Sequence, residues 1–283
     1  MGAGEVVVVD AATRKVVTNL SGFPRCTGIL AVPSRNEIYV STPGARQVAV
    51  LDARSLKILA RMPAGRFPDG LAYDPIGQQV FVSDESGGRV HILDTRAHRA
   101  LGSVALGGEV GNTQYDPVAN LIYSNVQTRN QLVAIDPATR KEVARIDLPG
   151  ADHNHGLCLD PEQRLAFIAC EGNARLLVLD LDSRKVLASF SVGEDPDVLA
   201  FDPGTRRLVV AAESGPAAFF HEEGRVLVKD GEQRVGTNAH VVVSDPSTHL
   251  LYFPLKDEGG HPVLRVMEPV SAAAPGASPP AQR

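Results

Sequence analysis

The feature that most constrains this chain is a repeat. Six segments, ILAVP, LAYDP, TQYDP, LCLDP, LAFDP and VVSDP, close on Pro33, Pro75, Pro117, Pro161, Pro203 and Pro246, so successive copies stand 42, 42, 44, 42 and 43 residues apart. A second marker, an apolar run closing on aspartate, falls at Asp10, Asp52, Asp94, Asp136 and Asp180 and keeps the same beat. Two markers in phase define one supersecondary unit copied in tandem.

Within each unit four short β-rich runs, for example LAYD, VFVSD, VHILD and LGSVAL, are separated by turn residues, and no apolar stripe recurs at the helical period. Four strands in a unit of about 40 residues predict an all-β fold, a β-propeller of four-stranded blades. Because a propeller grows by adding blades around a channel, 283 residues fit one large domain. We place it over residues 1–270, followed by an Ala/Pro-rich tail, 271–283, expected to be disordered because it has nothing to bury.

The phase of the repeat does not start at a blade boundary. EVVVVD and KVVTNL match the third and fourth strands of a blade, since Asp10 is in step with Asp52, and no inner strands precede them. The last unit has HVVVSD, LLYFPL and PVLRVMEP but no fourth run. The expectation is a seven-bladed design with an incomplete first blade, its missing strands lying upstream of a truncated N-terminus. The alternative is a closed six-bladed ring in which residues 15–20 complete the last blade and so remove two free edges.

Composition narrows the partners. A net charge of −5 without basic clusters argues against nucleic acid or an anionic membrane surface. No apolar run is long enough to span a bilayer, and MGAGEVVVVD lacks the parts of an export signal. Cys26, Cys158 and Cys170 have no metal-ligand spacing, and a hairpin turning at Pro161 sets Cys158 beside Phe167, so all three read as free thiols.

Units such as QQVFVSDESGGRVHILDTRAHRALGSVALGG and NLIYSNVQTRNQLVAIDPATRKEVARIDLPG follow a run of strand, Gly/Asn loop, strand to Asp, Thr-Arg-Lys turn and strand to Gly. On these residues the chain, over about residues 4–268, resembles the YVTN-repeat β-propellers, the YncE-like group of bacterial proteins. The sixth repeat departs from the pattern, with AAFFHEE where the third-strand aspartate is expected and a longer fourth run, GRVLVKDGEQRV. The resemblance implies a periplasmic or secreted setting for the intact gene product. It is specific for fold and says little about ligand.

Propellers bind at the mouth of the channel, on the face whose loops lead into the innermost strands and join the second strand to the third. Six residues before each repeat proline is the channel-rim position, which reads Thr27, Asp69, Gly111, His155, Asp197 and His240. Two residues earlier stand Arg25, Phe67, Glu109, His153, Asp195 and Asn238, and ten residues after the proline lie Glu85, Glu171 and Glu213. In ADHNHG, His153 and His155 alternate and would share one side if the chain enters the strand straight. The opposite face carries Asp-Pro and Thr-Arg-Lys turns.

Two imidazoles and a carboxylate on successive blades, His155, Asp197 and His240, suit a divalent metal ion or a polar ligand, although a water-facing rim also tolerates such residues without one. No nucleophile elbow, phosphate loop or dinucleotide fingerprint is present, and aromatics make up only 5% with no Trp. The first reading is a non-enzymatic scaffold that binds a protein or small ligand through Asp69, His153, His155, Asp197, Asn238, His240, Glu85, Glu171 and Glu213. The alternative is a metal-dependent hydrolase or lyase in which His155, Asp197 and His240 hold the ion, Asp69 orients water, and Glu85, Glu171 or Glu213 is the base.

Overall fold

The computed structural model describes residues 4–268. The proposed tail lies outside them. Among the described residues there is no α-helix, and the strands form seven separate antiparallel sheets. The first is a hairpin of β1 (Glu5–Asp10) and β2 (Lys15–Ser21).

Five four-stranded blades follow in simple meander order. Blade one holds β3 (Ile29–Val32), β4 (Glu37–Thr42), β5 (Gln47–Asp52) and β6 (Ile58–Pro63). Blade two holds β7 (Pro68–Asp74), β8 (Gln79–Asp84), β9 (Arg89–Asp94) and β10 (Arg99–Ala105). Blade three comprises β11 (Val110–Asp116), β12 (Leu121–Val126), β13 (Gln131–Asp136) and β14 (Lys141–Asp147). Blade four comprises β15 (Asn154–Asp160), β16 (Leu165–Cys170), β17 (Arg175–Asp180) and β18 (Lys185–Ser191). In blade five are β19 (Pro196–Asp202), β20 (Arg207–Ala212), β21 (Pro216–Glu223) and β22 (Val226–Arg234). A sixth, three-stranded blade has β23 (Val243–Ser244), β24 (Leu251–Glu258) and β25 (His261–Met267). The inner strands β3, β7, β11, β15, β19 and β23 neighbour one another in that order, which is the arrangement of a propeller around its channel.

Both repeat markers are turn devices on the same far face. After β7, β11, β15 and β19, the aspartate of the Asp-Pro pair accepts the N–H two residues on, as Asp74 does from Ile76 at 2.9 Å and Asp160 from Glu162 at 3.0 Å. Proline presets the first turn residue, and three residues after each proline stands a left-handed position: Asn36, Gln78, Asn120, Arg164, Arg206 and His249, with φ from 51° to 61°. The second aspartates act alike, Asp94 accepting from Arg96 at 2.8 Å and Asp180 from Asp182 at 2.9 Å.

Apolar side chains then fill the seams between neighbouring sheets. Phe81 and Ile92 of blade two pack on Ile122 and Val133 of blade three, and Phe167 and Val178 of blade four on Leu208 and Phe220 of blade five. Cys158 pairs with Phe167 across β15 and β16, and the three cysteines are free.

The hairpin is the outer half of a blade. Its strands slip register between Val8 and Val9, as β5 against β6 slips at Val50/Leu51, β13 against β14 at Ala134/Ile135 and β17 against β18 at Val178/Leu179. Such a bulge adds twist at a fixed place; every four-stranded blade has one in its third-to-fourth strand pair, and blades two to five have another where the first strand begins. Val6, Leu20 and fully buried Phe23 pack on Val40, Ala49 and Leu51 of blade one. Among the described residues β2 pairs only with β1 and β25 only with β24, so residues 15–20 do not complete the last blade as the six-bladed alternative expected.

Candidate functional site at the channel mouth

The second residues of β7, β15 and β19, namely Asp69, His155 and Asp197, and Glu171 just after β16 converge at one end of the channel. His155, on β15, is only 8% exposed. Its Nε2 stands 3.3 Å from Asp197 Oδ1 and 3.7 Å from Asp69 Oδ2, and its Nδ1 stands 3.7 Å from Glu171 Oε1. Three blades thus place carboxylates around one imidazole.

Close approach of the inner strands makes this possible. A Cβ on Gly156 would lie 2.0 Å from the Asp197 carbonyl oxygen, and one on Gly111 would lie 2.6 Å from the His155 carbonyl oxygen. Only glycine admits a neighbouring backbone so near. Buried side chains then pin the backbones: Asn125 Nδ2 donates to the carbonyls of His155 and Gly156 at 2.9 and 3.0 Å, and Asn154 Nδ2 donates to Asn125 Oδ1 at 2.8 Å. On the other side Ser41 Oγ donates to the Asp69 carbonyl at 2.7 Å, and Thr27 Oγ1 donates to Pro68 O at 3.0 Å.

The glutamates arrive by a second repeated bond. The N–H groups of Glu85, Glu171 and Glu213 donate to the carbonyls of Phe67, His153 and Asp195 at 2.9–3.0 Å. Each glutamate is therefore tied to the loop that carries a rim residue.

The electrostatics are those of crowded, half-dry acids. Burial, reinforced by Asp197 and Glu85 and opposed by His155, pushes the Glu171 carboxyl up to about 7. Burial also raises Glu85 and Asp197, with His155 pulling the other way in both. For His155, burial favours the neutral ring, but the charges of Asp197, Asp69, Glu171 and Glu85 outweigh it and hold the proton more tightly than usual.

Two donor groups have metal-binding dimensions: His155, Glu171 and Asp197, and Asp197, Glu213 and His240, each with its donor atoms within 4.8 Å of one another. Asp197 belongs to both, so the two imidazoles of the expected trio fall in different groups. His240 Nδ1 lies 3.1 Å from the Asn238 carbonyl, to which only a protonated Nδ1 can bond, leaving Nε2 as the free donor atom.

Two expected members take other places. His153 does not share a side with His155, because its φ of 51° turns the chain before β15 begins at Asn154. Its half-exposed ring pairs with Asp152 at 3.0 Å. Asn238, at φ 56°, reaches His240 through its carbonyl. Asn125 and Asn154, both fully buried, were not among the sequence candidates.

No protein-family model and no curated protein matches the chain. Solved structures do match in fold. A chain from the crystal structure of the mitotic checkpoint complex is 14% identical with a TM-score of 0.76, over 88% of this chain and 78% of that one. Hydrazine synthase of Kuenenia stuttgartiensis gives 16% identity and a TM-score of 0.70, over 83% of this chain and 75% of that one. A protein of unknown function from Desulfotomaculum acetoxidans gives 10% identity and a TM-score of 0.75, over 89% of this chain and 86% of that one. At such identities the likeness is one of fold, a β-propeller.

Proposed function

We propose that this chain is a non-enzymatic binding propeller of the YVTN type, whose loop face captures a positively charged ligand at the channel mouth. The observation that carries the reading is His155, a buried imidazole with carboxylate oxygens of Asp197, Asp69 and Glu171 at 3.3–3.7 Å. Glu85 and Glu213 add to the same field. A site whose carboxylates outnumber its cationic groups concentrates ligands of positive charge. A divalent metal ion fits this chemistry, as does a cationic group of a small ligand or partner protein. One fold neighbour sits in a multiprotein complex, which agrees with a face used for partners.

Thermal unfolding of the full chain with Zn²⁺, Mn²⁺, Mg²⁺ or spermidine tests this directly, because a ligand of the folded state alone raises Tm. At least one of these cations raises Tm in the wild type and not in Asp197→Asn. Indifference of the wild type to all four overturns the reading.

A second reading, metal-dependent hydrolysis or elimination, has one observation in its favour. Each donor group supplies three protein ligands, the number that leaves a coordination position for water. Asp69 and Glu85 then remain beside the ion to orient or deprotonate that water. Turnover of simple esters or lactones by zinc-loaded protein, lost in Glu85→Gln with zinc still bound, would establish it.

A further inference from the structure

We propose that the channel mouth is a two-cation centre in which Asp197 is the bridging carboxylate. One divalent transition-metal ion sits on His155, Glu171 and Asp197, and the second on Asp197, Glu213 and His240. This deepens the cation-binding reading above and rests on it.

Spacing is the first argument. The separations around His155, 3.3 Å to Asp197 and 3.7 Å to Asp69 and Glu171, are long for hydrogen bonds between these groups. Donors about 2.0–2.2 Å from a tetrahedral ion stand roughly 3.3–3.6 Å from one another, since each pair subtends the tetrahedral angle. The 3.3 Å from His155 Nε2 to Asp197 Oδ1 falls within that range, Asp69 Oδ2 stands just beyond it at 3.7 Å from the same nitrogen, and Glu171 Oε1 faces the other nitrogen, Nδ1, at 3.7 Å. His155 is more than nine-tenths buried and neither ring nitrogen is engaged in a hydrogen bond of ordinary length, so a buried ligand atom points into the site.

Topology supplies the second argument. A carboxylate has two oxygens, and Asp197 is the residue common to both donor groups. It stands on the blade between those carrying His155 and His240, and Val198 N donates to the His240 carbonyl at 3.1 Å, fixing the spacing of the two rim residues. The Nδ1–H of His240 is held by a carbonyl, the usual outer-shell support for a ligating imidazole.

Charge is the third. Asp69, Glu85, Glu171, Asp197 and Glu213 carry five formal negative charges. One divalent ion would leave three of them uncompensated, whereas two leave one. An imidazole with two carboxylates in each position favours zinc over calcium or magnesium, which prefer all-oxygen shells.

Equilibrium dialysis of the untagged full chain against Zn²⁺, with the metal counted by elemental analysis, decides the matter. The wild type retains two ions per chain. Glu171→Gln retains one, Glu213→Gln/His240→Gln retains one, and Asp197→Asn retains neither at a concentration that saturates the wild type. Circular dichroism checks that each variant is folded, and Asp152→Asn/His153→Gln, which removes an exposed pair outside the centre, still binds two. One ion in the wild type, or loss of only one in Asp197→Asn, overturns the bridged pair and leaves a cation site. No ion in the wild type overturns metal binding altogether, leaving only an organic cation for the site.

Discussion

Asp197 Oδ1 lies 3.3 Å from His155 Nε2, a contact between the rim residues of adjacent blades that the glycine following His155 makes possible. It links repeat phase to chemistry: identical positions in consecutive units become neighbours around a channel, so a pair 42 residues apart in the chain forms one site.

Gly156→Ala therefore tests the geometry without touching a polar group. The new methyl would meet the Asp197 carbonyl at 2.0 Å, and backbone has no rotamer with which to move aside. The variant should lose about 1–3 kcal/mol of stability and, at temperatures where it remains folded, bind Zn²⁺ more weakly than the wild type. Denaturant unfolding with a parallel metal titration reads both effects.

The mouth should also make the cation-free protein less stable as pH rises. Burial holds the Glu171 carboxyl at about 7 against an ordinary value of 4.5. Between those values the folded chain keeps a proton that the unfolded chain has released, so stability falls from about pH 4.5 to 7 and then levels. After chelator treatment, Tm at pH 8 should lie below that at pH 5, with a smaller difference in Glu171→Gln. A Tm that rises across this window would contradict the assignment.

On the far face, one guanidinium serves two buried carboxylates. Arg206 Nη2 donates to Asp160 Oδ2 at 2.6 Å and also touches Glu222 Oε2, with Asp160 only 1% exposed and the Glu222 side chain fully buried. Burial and the neighbouring Asp160 push Glu222 up to about 7 although Arg206 opposes them. Arg206→Met strands both acids and should cost about 3–5 kcal/mol at pH 8. Glu222→Gln should instead raise stability at pH 8 relative to pH 5, because it removes a group that binds its proton more tightly folded than unfolded. Denaturant melts of the two variants at both pH values check the opposite signs.

The hairpin should behave as part of the fold. Phe23 is fully buried against blade one, so Phe23→Ala should cost about 3–5 kcal/mol. Hydrogen exchange should show β1 and β4 losing protection together. Loss confined to β1 would mean that the hairpin is an independent appendage.

The propeller was legible because its turns are chemical: Asp74, Asp116, Asp160 and Asp202 each accept a backbone N–H two residues on. The outer-half identity of β1 and β2 was legible from phase, since Asp10 is in step with Asp52. Counting from the prolines also located Asp69, His155 and Asp197 on the channel rim. What counting could not supply was direction. His153 precedes its strand by one residue and turns away through a left-handed backbone, and Asn238 acts through its carbonyl. The clamp of Asn125 on His155 crosses a blade seam, so no local pattern in the chain announces it.

Anomalous diffraction at the zinc edge from crystals grown with Zn²⁺ addresses the central claim most directly. Two peaks are expected on either side of the Asp197 carboxylate, one against His155 and Glu171 and the other against His240 and Glu213. Zinc at the exposed Asp152 and His153 pair with none beside Asp197 would contradict it.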